Sequence, residues 1–288
     1  MSEDDDKPAR PRGGKWHGKE RHVRERYGHG LKRERPAEAD RPRPRTPGDR
    51  RPDQLFLYGI HPVAAALANP RRKILRLAAT KNALDRLVEE GAPLPDSVEE
   101  TNPRALDKLL GSEAVHQGVA AEVAPLDPIG LADLGEARLV VVLDQLTDPH
   151  NVGAILRSAV ALGADAIVST WRHAPVETGV LAKAASGALE MIAWVEVQNL
   201  ARALDELGER GFTRVGLDSE GGVPIEAAFG DAGRRIALVL GAEGKGLRKL
   251  TRETCDVVAR LDMPGPIKSL NVSNAAALAL YLARRHLG

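Results

Sequence analysis

Residues 139–157 read Leu-Val-Val-Val-Leu-Asp-Gln-Leu-Thr-Asp-Pro-His-Asn-Val-Gly-Ala-Ile-Leu-Arg, and this stretch decides the fold class. Leu139 to Leu143 is apolar at every position, with none of the alternation of a half-exposed strand. Such a run is typical of a strand buried on both faces of a parallel sheet. A polar turn follows, and the apolar spacing from Val152 to Leu162 is helical. The pattern repeats downstream. Strands are expected at Ala166–Ser169, Ile192–Val197, Arg214–Leu217, Ile236–Leu240 and Val257–Leu261, with helices at Val180–Leu189 and Leu200–Arg210 between them. Alternation of this kind predicts an α/β domain with a mostly parallel sheet over residues 139–288, and ligands at the carboxyl ends of its strands. The last helix, about Asn274 to His286, is apolar on almost every side up to Ala283. It needs cover on two faces, which points to a dimer.

Upstream, residues 54–126 form a smaller α/β unit. A helix is expected from Gly59 to Leu67, a strand at Ile74–Ala79, an amphipathic helix at Ala83–Glu90 and a short strand near Val98. A helix capped by Asn102 with Pro103 at its first position and a strand at Gly118–Val123 complete the unit. Pro125, Pro128 and Gly130 mark a linker over residues 127–138. Residues 1–53 are different again. They hold 16 Lys/Arg against 11 Asp/Glu, a balance of +5, while residues 54–288 carry 25 against 29. With almost no aliphatic side chains, this basic tail cannot offset its ordering entropy, so disorder and salt-sensitive contact with RNA phosphates are expected. A solubilising extension is the equal alternative.

Composition excludes several classes. The longest apolar run, Ala275 to Ala283, is far short of the roughly 20 residues of a membrane span. No hydrophobic segment follows Met1, so no signal peptide is expected. The single cysteine, Cys255, excludes an internal disulfide framework and a cysteine-built zinc site, and a reducing cytoplasm is the expected compartment.

Three strand-end segments carry candidate chemistry. In the first, Asn151 sits where a helix cap belongs, Gly153 permits close approach, and Arg157 lies two turns along. Six residues place Asn151 and Arg157 about 120° apart on a helix, so they converge only if Asn151 lies outside it. The second, Leu240-Gly-Ala-Glu-Gly-Lys-Gly246, opens a buried strand into a glycine-rich loop that presents Glu243. It matches neither a Walker loop nor a dinucleotide fingerprint. The third, Leu261-Asp-Met-Pro-Gly-Pro-Ile-Lys-Ser-Leu-Asn-Val-Ser-Asn274, combines apolar Leu261, Met263 and Leu270 with Ser269, Asn271, Ser273 and Asn274. Taken singly, each segment is also explained by caps and structural glycines.

As an ordered set, Asn-x-Gly-x-x-x-Arg, Leu-Gly-x-Glu-Gly-x-Gly and Met-Pro-Gly-x-x-x-Ser-Leu-Asn-Val-Ser resemble the three motifs of SpoU/TrmH-type (SPOUT superfamily) RNA 2′-O-methyltransferases. Leu57-Tyr-Gly-Ile-His-Pro-Val63 and His116-Gln-Gly-Val119 are similar to the substrate-binding domain of the ribosomal RNA branch. The resemblance implies S-adenosylmethionine as methyl donor, no metal, a ribose 2′-hydroxyl as acceptor, a homodimer, and a C-terminal chain threaded into a trefoil knot. It also implies Asn151, Arg157, Glu243, Ser269 and Asn271 as the catalytic polar residues, with Gly241, Leu261, Met263 and Leu270 lining the cofactor slot. Asp262, Lys268 and Asn274 depart from the usual pattern.

The chemistry suits these residue types. An activated sulfonium needs in-line placement of the acceptor and help with its proton. A guanidinium stays protonated, so Arg157 is expected to clamp a phosphate and polarise the ribose oxygen rather than act as a base. With only 3% aromatic residues, RNA is expected to be held by basic patches such as Arg71, Arg72 and Lys73 rather than by stacking. The resulting expectation is a guanosine 2′-O-methyltransferase acting on 23S ribosomal RNA. A transfer RNA 2′-O-methyltransferase and a non-catalytic RNA-binding or ribosome-assembly protein are the alternatives.

Overall fold

The computed structural model describes residues 55–288 except 128, 173, 174 and 176. The basic tail of residues 1–53 lies outside the described residues.

Two sheets organise the rest. The first has the order β1-β4-β2-β3, built from β1 (Leu55–Tyr58), β2 (Ile74–Ala79), β3 (Glu99–Glu100) and β4 (Val119–Val123). β4 pairs antiparallel with β1 and β2, and β3 runs parallel to β2. Helices α1 (Ile60–Ala68), α2 (Lys81–Glu89) and α3 (Pro103–Leu110) connect these strands. Asn102 caps α3, its side chain accepting from the Ala105 amide, and Pro103 occupies the first turn as expected. Strand β1 was not anticipated: four residues ending at a glycine are too short for a period to show.

The second sheet is parallel throughout and has seven strands in the order β7-β6-β5-β10-β8-β11-β9. These are β5 (Leu139–Asp144), β6 (Ala166–Thr170), β7 (Ala193–Val197), β8 (Thr213–Leu217), β9 (Val223–Pro224), β10 (Ile236–Gly241) and β11 (Val257–Arg260). All six residues of β5 are buried, and the two-sided burial read from the sequence is visible in their partition. Leu139, Val141 and Leu143 enter one core, while Val140 and Val142 enter the other. The first core contains α4 (Pro149–Ala161), α5 (Gly179–Ala185), α7 (Ile225–Gly230) and α9 (Val272–Leu287); the second contains α6 (Leu200–Glu209). A short helix α8 (Lys249–Thr254) precedes β11. Residues 129–137, read as linker, pack onto this sheet: Ile129 bridges to Val195, and Leu131 and Leu134 are buried in the second core.

Gly153 is needed where α4 meets α5. A Cβ there would lie 2.4 Å from the Ala184 Cβ and 2.9 Å from the Ala185 amide nitrogen. The group that approaches this turn is a neighbouring helix, not a ligand.

The two sheets share one continuous core, and a buried ion-pair hub ties them. Arg72, only 5% exposed, lies 2.6 Å from Glu177 and 2.5 Å from Glu190, and donates through Nη1 to the Ala124 carbonyl. Asn69 donates to the same Glu190 carboxylate. This corrects the reading of Arg72 as part of an RNA-binding patch, since its charge is spent inside the protein. Burial pushes the Glu177 carboxyl up, against the pull of Arg72. Replacing Arg72 by methionine leaves both carboxylates buried without their cation. The expected loss is ~3–5 kcal/mol of stability, read as a lowered denaturant midpoint, whereas Arg71→Met at the exposed neighbour leaves the midpoint within error.

Candidate functional site

The carboxyl ends of β5 and β10 lie side by side, with Asp144 opposite Gly241. The chain leaves these two strands toward opposite halves of the sheet, which is the switch point where open α/β sheets bind ligands.

From β5 the chain turns through Gln145, at φ +61°, to Asp148. Asp148 caps α4 by accepting from the amides of His150 and Asn151, with Pro149 in the first turn. The cap is therefore Asp148 and not Asn151, because a proline at the first helical position moves the start three residues upstream. Asn151 thus lies on the first turn of α4 with its side chain free for other partners.

From β10 the chain folds back through Ala242–Gly246. The Gly246 amide donates to the Ala242 carbonyl at 2.9 Å, with Gly244 and Gly246 at positive φ. A Cβ on Gly241 would stand 2.3 Å from the Gly246 carbonyl carbon, so Gly241 is required for this return and lies under the loop's own backbone. Glu243 sits exposed at the tip. From β11 the chain runs through residues 261–270 to Asn271, which caps α9 by accepting from the Ser273 amide at 2.8 Å. The helix starts at Val272, two residues before the expected Asn274.

These three strand-end segments meet in a closed triangle. Asn151 Nδ2 donates to Glu243 Oε2 at 3.1 Å, while Asn271 Nδ2 donates to Asn151 Oδ1 at 2.9 Å and to Glu243 Oε1 at 3.1 Å. The Ser273 hydroxyl completes the Asn271 side chain, donating to Oδ1 at 2.6 Å. Since an ionised carboxylate only accepts, Glu243 orients both amides. Residues 151, 243 and 271 become one preorganised polar surface.

The other expected residues are not in the triangle. The Arg157 side chain is exposed and makes no hydrogen bond or ion pair with any described residue. Asn151 lies inside α4, so the six-residue spacing turns the two side chains to different faces. Ser269 is exposed and forms no hydrogen bond with a described residue. Leu261 and Met263 are half-buried, Leu261 against the first core, while Ile267 and Leu270 stand exposed on the same segment. Lys268 Nζ donates to the Met263 carbonyl at 2.8 Å and closes that segment into a turn.

Two supports were missed in the sequence. Asp144, 1% exposed, accepts from the Arg248 amide at 3.0 Å and from its Nε at 2.6 Å, pinning the far end of the Glu243 loop to β5. Asp218, after β8, accepts from Arg252 at 3.1 Å and lies against Gly246. An aspartate ending an apolar strand was the available signal for the first; the second had none.

Among the described residues no group of three or more His, Cys, Asp or Glu is placed to hold a metal ion. Cys255 is no nucleophile: burial pushes its thiol up to about 12, and Sγ donates to the Thr251 carbonyl. A raised thiol pKa means less thiolate at any given pH.

The profile of the SpoU rRNA Methylase family matches residues 138–281, and that of the RNA 2′-O ribose methyltransferase substrate-binding domain matches residues 56–129. The chain belongs to the SpoU rRNA methylase family. It is 38% identical over 240 residues to the 23S rRNA (guanosine-2′-O-)-methyltransferase RlmB of Pseudomonas putida, covering 80% of this chain and 95% of that one. The corresponding Pseudomonas aeruginosa enzyme is 39% identical over 236 residues, covering 78% and 94%. Among solved structures, the SpoU methyltransferase AviRb from Streptomyces viridochromogenes superposes with a TM-score of 0.66 at 25% identity, covering 81% of this chain and 90% of that one. AviRb has also been solved in complex with AdoMet. The triangle thus joins all three motif segments of a SpoU methylase.

For the folded protein, the thiolate fraction of Cys255 at pH 8 is expected to be about a thousandfold below that of an unperturbed cysteine. A colorimetric thiol reagent should report labelling only after denaturant is added.

Proposed function

We propose that this protein transfers a methyl group from S-adenosylmethionine to the ribose 2′-hydroxyl of a guanosine in 23S ribosomal RNA. The observation that carries the reading is the Asn151–Glu243–Asn271 triangle at the carboxyl edge of the parallel sheet. The near full-length relatives supply the acceptor, since they are named for guanosine 2′-O-methylation of 23S rRNA. A transfer RNA acceptor and a non-catalytic binding role are both less favoured by those relatives.

The residues beside the triangle fit the methyl donor. Its adenosyl and methionine parts need an apolar wall with backbone polar groups around it, and residues 241–247 and 261–271 provide both. Half-buried Leu261 and Met263 and exposed Leu270 form the wall, and Gly241 lets the Glu243 loop close beside them. When bound, the donor supplies an already activated methyl group, so no metal is required.

The rest of the catalysis is positioning by this chain. Glu243 holds the Asn151 and Asn271 amides in fixed directions, leaving them to orient the ribose and the methionine end of the donor. Ser269, exposed and without a hydrogen-bond partner among the described residues, joins them on the ligand side. Arg157, exposed on α4 and without a side-chain partner among the described residues, clamps a phosphate of the RNA, which a planar guanidinium does in bidentate fashion. The substrate-binding unit of residues 54–126 adds RNA contact away from the reacting atoms, with the basic tail as a salt-sensitive arm.

We further infer a cytoplasmic homodimer whose C-terminal chain is threaded as a knot. α9 buries Ala276, Ala279, Leu280 and Ala283 within its own chain yet leaves Leu278 and Tyr281 about half exposed. This second apolar face supports a partner copy. No helix of the described residues is long and apolar enough to cross a membrane.

Tritiated methyl transfer to ribosomal RNA from a strain lacking the gene, followed by nuclease digestion, should yield 2′-O-methylguanosine in the large-subunit RNA. Labelling of transfer RNA alone would overturn the assignment. Arg157→Lys is expected to lower turnover at least tenfold with the thermal midpoint unchanged, because a point charge replaces a bidentate fork.

A further inference from the structure

Aromatic side chains are scarce in this chain, and most of those described are occupied inside the fold. Phe212 and Phe229 are buried, and the Trp194 indole donates to Ser169 Oγ at 2.8 Å. Two aromatic residues among the described ones stand exposed. Tyr281 lies on the apolar face of α9, at 52%, and Trp171 at 45% stands on the other relevant surface, the carboxyl edge of the parallel sheet.

Trp171 directly follows β6, and its amide donates to the Val197 carbonyl at 3.2 Å, extending the β6–β7 ladder by one residue. The indole is therefore carried on a strand end, not on a free loop tip. β6 neighbours β5, whose following helix bears Asn151, and β10 with Glu243 is one strand further. At a strand spacing of ~4.8 Å, the three strand ends lie within about 10 Å. The guanidinium carbon of Arg172 stands 4.8 Å from the centre of the Trp171 ring. This contact orients the indole and places a positive charge beside it.

We propose that Trp171 and Arg172 form a stacking platform for an RNA base flanking the methylated nucleotide. The proposal rests on the methyltransferase reading above. To expose one ribose 2′-hydroxyl in the triangle, the RNA must be unstacked locally, and a flanking base then loses a stacking neighbour. An indole face restores that contact without demanding a particular base, and Arg172 meets the adjacent phosphate. This replaces the expectation that low aromatic content leaves RNA binding to basic patches: one aromatic residue at the site edge matters more than the average, and Arg72 of the supposed patch is buried.

The test is steady-state methyl transfer by the full chain with Trp171→Ala, Trp171→Phe and wild type, using 23S RNA from a strain lacking the gene. Trp171→Ala is expected to raise KM for RNA about tenfold, with KM for S-adenosylmethionine, the sedimentation coefficient and the thermal midpoint unchanged. Trp171→Phe should recover most of the loss. RNA titration should quench the indole fluorescence of wild type by an increment absent from Trp171→Phe. An unchanged KM for RNA in Trp171→Ala overturns the proposal, as does a shift to a smaller species in sedimentation, which would assign the indole to a subunit interface. A wild-type protein that methylates no RNA overturns the enzymatic reading instead, so the two failures are distinguishable.

Discussion

The site depends on the parallel pairing of β5 with β10. Six residues of each strand run in register, from Leu139 beside Ile236 to Asp144 beside Gly241, and every one is buried. Parallel strands deliver their following loops to the same edge, so Asn151 and Glu243, 92 positions apart in the chain, come within hydrogen-bonding distance. The burial of Asp144 depends on the same register. It is tolerable because the Arg248 amide and guanidinium satisfy the carboxylate, and those contacts return the glycine-rich loop to the strand beside its origin.

A second constraint is steric. Helices α4 and α5 approach so closely at Gly153 that any side chain would overlap Ala184. Gly179 and Gly187, at the two ends of the segment that contains α5, admit β1 and α1 in the same way: a Cβ on Gly179 would meet the Phe56 carbonyl and the Tyr58 ring, and one on Gly187 the Ala65 side chain. The glycines and small alanines of residues 179–188 thus form the contact between the two sheets, and the Arg72 hub locks it with charge. One core serves both sheets. The substrate-binding unit is held against the catalytic one by packing as well as by covalent linkage, which suits an enzyme that must present a folded RNA to a fixed edge.

The triangle illustrates how a modest set of residues becomes a surface with direction. Each amide could be flipped in isolation, yet the single acceptor-only carboxylate and the donor-only Ser273 backbone amide allow one arrangement of donors and acceptors. That preorganisation is what methyl transfer from an activated donor requires, where alignment contributes more than acid–base strength.

The central strands of the second sheet were readable from sequence because burial on both faces leaves an uninterrupted apolar run, as at Leu139–Leu143 and Ile236–Leu240. The helix capped by Asn102 was readable because capping is local chemistry, and the ordered motifs named the family. Short elements such as β1 and β9 left no period to detect, and the start of α4 was misplaced because Asp148 and Asn151 are both competent caps. Sequence by itself therefore determined the element types, the α/β class and the residues worth testing. Only the tertiary structure decided which of them meet. Asn151, Asn271 and Glu243 converge while Arg157 turns away, Arg72 is buried between carboxylates, and Trp171 stands exposed at the carboxyl edge of the parallel sheet, because strand order and side-chain direction depend on long-range packing that no local pattern encodes.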